Sequence, residues 1–132
     1  MIELNHPWLF KCRFSMSSNG TLYFTEKVQK LLHKYPNLIS LAITLDGDKK
    51  LHDTCRLFAD GTGSYDIVEK AVKHYKKYYN SSLGTKLTIS PENIEYLFPA
   101  VKNFIDLGFV NINLNCVFEK GWENTHATIL YN

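Results

Sequence analysis

The chain has 132 residues, of which 45% are hydrophobic and 21% charged, with a formal net charge of +2. That length suits one domain (1–132) rather than two, and that composition excludes wholesale disorder. The charge is too small to argue for nucleic acid, no apolar run is long enough to span a membrane, and Met1 to Phe10 lacks the basic flank and apolar core of a signal peptide, so the expected location is the cytoplasm.

The run Phe10-Lys11-Cys12-Arg13-Phe14-Ser15-Met16 alternates apolar and polar residues, the period of a strand, and ends in the turn signal Ser17-Ser18-Asn19-Gly20. Thr25 is placed to cap a helix with Glu26 in its first turn and Val28, Leu31, Leu32 and Tyr35 as its apolar stripe; Pro36-Asn37 stops it. Leu38 to Thr44 is a nearly continuous apolar run, the pattern of a buried parallel strand, followed by Leu45-Asp46-Gly47-Asp48 and a polar loop to Gly63. Ser64 is expected to cap a helix in which Val68, Ala71, Val72, Tyr75 and Tyr79 share a face and Lys73, Lys76 and Lys77 form a solvated one. Thr85 to Ile89 reads as a third strand.

Ser90-Pro91-Glu92 reads as a helix start, a capping serine followed by proline at the first helical position. Ile94, Leu97, Phe98, Val101 and Ile105 form the predicted stripe, Pro99 is expected to bend this helix, and Gly108 to end it. Phe109 to Phe118 is the fourth strand, and Glu119 to Asn132 reads as a loop that at most begins another helical turn. Strands and helices thus alternate, with connections too long for hairpins, which predicts an α/β fold with a parallel sheet and right-handed crossovers.

The three cysteines, Cys12, Cys55 and Cys116, have no short spacing between any two, so they form neither a local metal clip nor a disulfide framework. His33 and His74 fall on predicted helices and His52 in the predicted loop, each without a motif partner and each read as a surface or packing residue; no nucleophile–base pair stands out.

The strands carry a polar stripe. Asn111, Asn113 and Asn115 oppose Val110, Ile112, Leu114 and Cys116; Arg13, Ser15 and Ser17 oppose Cys12, Phe14 and Met16. Lys86, Thr88 and Ser90 oppose Leu87 and Ile89, while Ser40 and Thr44 lie on the side of Ala42. Helices with one apolar stripe each should cover the apolar side, and the polar side is either a wet face, uncommon for parallel strands, or the lumen of a wide partial barrel that holds a polar ligand. In parallel α/β folds ligands sit at the carboxyl ends of the strands, where Ser17 to Gly20, Thr44 to Gly47, Ser90 and Asn115 fall.

Those strand ends carry a family resemblance. Ser17-Ser18-Asn19-Gly20-Thr21-Leu22 resembles the strand-end segment of radical S-adenosylmethionine enzymes. Thr44-Leu45-Asp46-Gly47, followed by Leu51-His52-Asp53, Arg56 and Asp60-Gly61-Thr62-Gly63-Ser64, resembles the serine-x-aspartate-glycine signature of the branch with anaerobic sulfatase-maturating enzymes and SPASM-type peptide maturases. Thr85 to Trp122 is similar to the peptide maturases of that branch.

The resemblance implies a partial barrel of six βα units, of which this chain would supply about four, the third strand to the sixth. The front strands and the C-terminal region would be absent, and the chain is expected to be a fragment. It implies S-adenosylmethionine as cofactor: Ser17, Ser18 and Asn19 facing its methionine and ribose portion, Thr44 in the place of a binding serine, Asp46 completing the signature, and Arg56 pairing with its carboxylate. Ser90 and Asn115 are further candidates from the polar stripe.

In that family a CxxxCxxC motif holds a 4Fe–4S cluster, and this chain lacks the motif, so no residue is assigned a metal or catalytic role and the chain alone is expected to be inactive. The expected partner of the whole enzyme is a peptide or protein substrate; no nucleic acid or membrane is expected. The open edges of a truncated barrel should favour self-association. The competing reading is a standalone, non-catalytic α/β binding module derived from that fold.

Overall fold

The computed structural model describes residues 11–80, 82–119 and 121–131. The readings of Met1 to Phe10 as lacking a signal peptide and of Phe10 as a strand start lie outside these residues. The element order is β1 (Phe14–Ser18), α1 (Glu26–Lys34), β2 (Ile39–Ile43), α2 (Lys49–Cys55), α3 (Tyr65–Tyr78), β3 (Gly84–Ile89), a 3-10 turn (Ile94–Tyr96) leading into α4 (Leu97–Asp106), β4 (Asn111–Cys116) and α5 (Asn124–Tyr131). β2, β3 and β4 match the expected runs to within two residues, whereas β1 is displaced toward Ser18 and α2 adds a helix to the expected alternation.

β1 pairs with β2, and β3 with β4, both in parallel. The registers align the stripes: Ser15 stands opposite Ser40 and Ser17 opposite Ala42, while Lys86 meets Asn113 and Thr88 meets Asn115. On the other side Ile39, Leu41, Ile43, Leu87 and Ile89 are buried with Val68, Ala71, Val72 and Tyr75 of α3 and with Ala100 and Phe104 of α4. The helices therefore cover the apolar side of the inner strands β2 and β3, while Phe14, Met16 and Leu114 on the same side of the outer strands stay exposed.

The strands form two pairs, not one continuous sheet. β2 runs beside β3, yet no ladder joins them. The Leu41 N–H, on the side of β2 that a β3 ladder would use, donates instead to the buried Tyr75 hydroxyl at 2.9 Å. A tyrosine from α3 thus satisfies a backbone donor that would otherwise be orphaned in the core.

Several expectations are corrected. The polar loop before Gly63 contains helix α2, capped by the Asp48 carboxylate, which accepts from the Leu51 N–H at 3.0 Å. Thr25 and Ser64 stand at helix starts without capping bonds; the Thr25 hydroxyl donates back to Leu22 O, and Tyr65 N–H donates to Asp53 Oδ1 at 2.8 Å. Ser90-Pro91-Glu92 opens a turn in which the Ser90 N–H donates to Asn93 Oδ1, so α4 begins only at Leu97. Pro99 therefore sits in the first turn of α4, where helix donors lack intrahelical acceptors, and it costs no bond.

Phe98 and Ile105, expected in the stripe of α4, point outward (78% and 62% exposed), and Ala100 and Phe104 are the buried residues. Lys76 is not simply solvated: its ammonium donates to the carbonyls of Leu107 and Gly108 at the C-terminal end of α4, where positive charge is favoured. Within the segment from Glu119, read as loop, Asn124–Tyr131 forms α5. Ser17 and Ser18 are the last residues of β1 rather than the turn after it.

Candidate functional site

The carboxyl ends of β1 and β2 meet first. Ser18 O accepts from the Thr44 N–H at 2.9 Å, which sets the Ser17-Ser18-Asn19 segment beside Thr44. The local chemistry there is a turn: Ser18 Oγ accepts from Gly20 N–H at 3.1 Å, and Asn19 Oδ1 accepts from both the amide and the hydroxyl of Thr21. Gly20 has φ +77, and a Cβ on it would come within 2.9 Å of Ile43, so the turn presses directly onto the end of β2. Ser17 and Asn19 are exposed, and Ser18 and Thr44 are half-buried.

The second group lies one loop further. Asp46, Arg56 and Ser90 line a cleft of about 280 Å³ together with Leu51, Thr88 and Asn93. Asp46 Oδ2 accepts from Arg56 Nε, with the carboxylate 16% and the guanidinium 35% exposed. The cleft is smaller than the roughly 300–1,000 Å³ typical of sites that enclose a whole small molecule, so it suits one end of a larger ligand. Asn115 stands opposite Thr88 in the β3–β4 register, exposed on the polar face. With its amide turned to satisfy both atoms, its oxygen accepts from Lys86 Nζ at 2.7 Å.

Thus the eight sequence candidates fall into Ser17, Ser18, Asn19 and Thr44 at one pair of strand tips, Asp46, Arg56 and Ser90 around the cleft, and Asn115 on the face beside it.

What sequence reasoning missed is the machinery behind Asp46 and Arg56. His52, read as a loop residue, is completely buried in α2. Its Nδ1 accepts from the Asp46 N–H at 3.1 Å, and its Nε2 lies 3.0 Å from Ser64 Oγ, which donates to Arg56 O at 2.8 Å. Burial, the largest influence, lowers the imidazole pKa below its ordinary 6.5; the Asp46 carboxylate works against this and Arg56 with it. Next to it the Tyr65 hydroxyl is pushed up, chiefly by burial, and exchanges hydrogen bonds with Asn103, whose Nδ2 also donates to Gly47 O at 3.0 Å. Gly47 has φ +78, and a Cβ there would meet Ala100 Cβ at 2.7 Å, so the Asp-Gly pair needs glycine for both its conformation and its contact with α4. The overlooked signal was Asp48, a good N-cap directly before a short helix with one apolar residue.

The cysteines do not assemble. Cys12, Cys55 and Cys116 are free, and among the described residues no three His, Cys, Asp or Glu side chains come together as a metal site. Also among these residues, no helix is long and apolar enough to cross a membrane.

No family model and no curated protein matches this sequence. Solved structures do. "Native anSMEcpe with bound AdoMet and Kp18Cys peptide" superposes with a TM-score of 0.70 at 19% identity, over 89% of this chain and 34% of that one. "His6 tagged anSMEcpe with bound AdoMet" gives 0.69 at 23% identity, over 85% and 31%. "Native anSMEcpe with bound AdoMet and Cp18Cys peptide" gives 0.66 at 22%, over 78% and 28%. The chain spans about a third of the length of the solved structures it matches. Over most of its length it has the fold of part of these AdoMet-bound structures.

Proposed function

We propose that this chain carries the S-adenosylmethionine-binding half of a partial (βα) barrel in a radical enzyme that modifies a peptide or protein. The observation that carries the reading is the Asp46–Arg56 pair at a cleft beyond the carboxyl ends of parallel strands, in a fold shared with AdoMet-bound structures. With Nε held by Asp46, the plane of the guanidinium is fixed, and its two Nη groups can present parallel donors to the cofactor carboxylate. Ser90 offers a further polar group in the same cleft, while Thr44, Ser17, Ser18 and Asn19 offer hydroxyls and an amide to the methionine and ribose portion; Asn115 extends the polar face.

Held there, S-adenosylmethionine would supply the radical chemistry of the resembled family when given an electron. The residues described here do not fit the 4Fe–4S cluster that delivers that electron, since the cysteines are dispersed and no three metal-ligating side chains converge. Cluster chemistry would need ligands from outside the described residues. That dispersal equally favours the second reading, a non-catalytic binding module built on the same fold. Among the described residues nothing pairs with the outer edges of β1 and β4, and Phe14, Met16, Val110 and Leu114 are exposed there, which supports self-association of the chain on its own.

The test is titration of the ¹⁵N-labelled chain with S-adenosylmethionine under anaerobic conditions. Resonance shifts should concentrate at Ser17 to Asn19, Thr44 to Asp46, Arg56 and Ser90, and Arg56→Ala should weaken binding by about tenfold or more, the worth of a charge-assisted hydrogen bond. A folded chain that shows no shifts at millimolar cofactor would end the proposal. Formation of a cluster and cleavage of the cofactor by this chain alone, after reconstitution with iron and sulfide, would instead overturn the expectation that the chain alone is inactive.

A further inference from the structure

We infer that His52 is a positioning residue for this site: its buried imidazole, spanning the Asp46 amide and the Ser64 hydroxyl, sets where the Asp46–Arg56 pair stands. Every link in the chain has a determined direction. The Asp46 amide can only donate, so Nδ1 must be the bare nitrogen, and the ring proton then lies on Nε2. Nε2–H donates to Ser64 Oγ, and the Ser64 hydroxyl proton goes on to Arg56 O. The Arg56 N–H in turn donates to His52 O at 2.9 Å, and Ser64 N–H adds a second bond to Arg56 O at 3.2 Å.

Asp46 therefore hangs on the ring directly, by its amide, whereas Arg56 is reached only through the Ser64 hydroxyl at its carbonyl, and its own amide bonds the His52 backbone and not the ring. A histidine that merely filled space would need none of this. An apolar side chain of similar volume would pack against the Tyr65 ring, 5.8 Å away, but would leave the Asp46 amide without its acceptor and Ser64 Oγ without the proton it accepts.

The same geometry makes the clasp sensitive to acid. A second proton on Nδ1 would face the Asp46 N–H, donor against donor. The charged groups facing the ring are Asp46 from the β2–α2 loop, Lys49 and Asp53 from α2 and Arg56 just after it; the carboxylates favour protonation and the cations oppose it, while burial outweighs both. The folded-state pKa lies below the ordinary 6.5, so the contribution of the clasp is full above pH 6.5 and is lost as pH falls through the folded value.

The consequence for cofactor binding rests on the proposed role of Arg56; the clasp itself does not. The experiment therefore reads the ring and the ion pair before any ligand is added. Long-range ¹H–¹⁵N spectra of the 132-residue chain should show His52 as the neutral Nε2–H tautomer at pH 7, taking up its second proton only below the ordinary imidazole range. His52→Asn keeps an acceptor near the Nδ1 position and His52→Gln a donor near Nε2. The Arg56 Nε–H signal should stay shifted and protected in the asparagine variant and collapse to the free-guanidinium position in the glutamine variant, with cofactor affinity falling about tenfold only in the latter, or 1.4 kcal/mol.

An Nδ1–H tautomer, titration at the ordinary histidine pKa, or equal effects of the two variants on the Arg56 signal would overturn the inference. The tautomer and titration are read on the unsubstituted protein, so the inference stays open to refutation even if a variant fails to fold. If the Arg56 signal behaves as stated while no protein binds S-adenosylmethionine, the reading of the cofactor site fails and that of His52 stands.

Discussion

Gly63→Ala offers a test of how the block from Asp46 to Tyr65 is held. The backbone at Gly63 does not require glycine; what does is the Asp53 carboxylate, which a Cβ on residue 63 would overlap outright. That carboxylate accepts from the first amide of α3, Tyr65 N–H, at 2.8 Å and lies 3.4 Å from Lys49 Nζ. It is the mobile end of a side chain, so the added methyl should rotate it away rather than break the backbone. The loss is then one helix-start bond, about 0.5–2 kcal/mol, and a partly exposed ion pair of about 0–1 kcal/mol. Gly63→Ala alone should cost roughly 1–2 kcal/mol.

In an Asp53→Ala background there is nothing to displace. The same substitution should then be neutral or stabilising by about 0.4–1 kcal/mol, because alanine lowers the entropy of the unfolded chain. Urea denaturation at pH 7 reads all four proteins of the cycle, with unchanged slopes as the condition for comparing midpoints. Equal costs of Gly63→Ala in the two backgrounds, within about 0.5 kcal/mol, would refute the reasoning.

Gly47→Ala should cost about 2–5 kcal/mol, since it combines a left-handed backbone with a Cβ driven into Ala100, whereas Gly61→Ala, equally left-handed at φ +83 but with open space around it, should cost only about 1–2 kcal/mol. Thermal or chemical denaturation of the two variants checks the ratio. Tyr75→Phe keeps the ring and removes the acceptor for Leu41 N–H, which should cost about 1–3 kcal/mol and raise the exchange rate of that one amide most; an unprotected Leu41 amide in the wild type would refute it.

The strands were legible because their alternation is a property of two or three residues at a time. The polar stripe survives in the registers of both pairs, with Ser15 against Ser40 and Thr88 against Asn115. The break between β2 and β3 was not legible, because it depends on a tyrosine 34 positions from the amide it satisfies. Phe98 and Ile105 misled for a related reason. An apolar residue on a helix shows which faces are available for burial, and only the position of β2 and Gly47 against Ala100 decides which face is used.

Helix α2 was invisible on a different ground. Lys49 to Cys55 has one apolar residue facing the core, Leu51, and no stripe; its stability comes from Asp48 at its start and from His52 and Asp53 reaching Ser64 and Tyr65 across a loop. Periodicity measures burial of apolar surface, and here the bonds run from side chain to backbone and hydroxyl instead. The quoted segments Asp46-Gly47, Leu51-His52-Asp53, Arg56 and Gly63-Ser64 therefore make sense together. Gly47 lets the chain turn against α4, His52 ties Asp46 to Ser64, Gly63 leaves room for Asp53 to cap α3, and Arg56 closes on Asp46.

Such a block resists single substitutions at the exposed end and fails at its buried ring. Arg56 can be removed with its backbone bonds intact, whereas removing the His52 ring strands the Asp46 amide and takes from Ser64 Oγ the proton it accepts. That asymmetry separates a residue that would touch a ligand from one that places it.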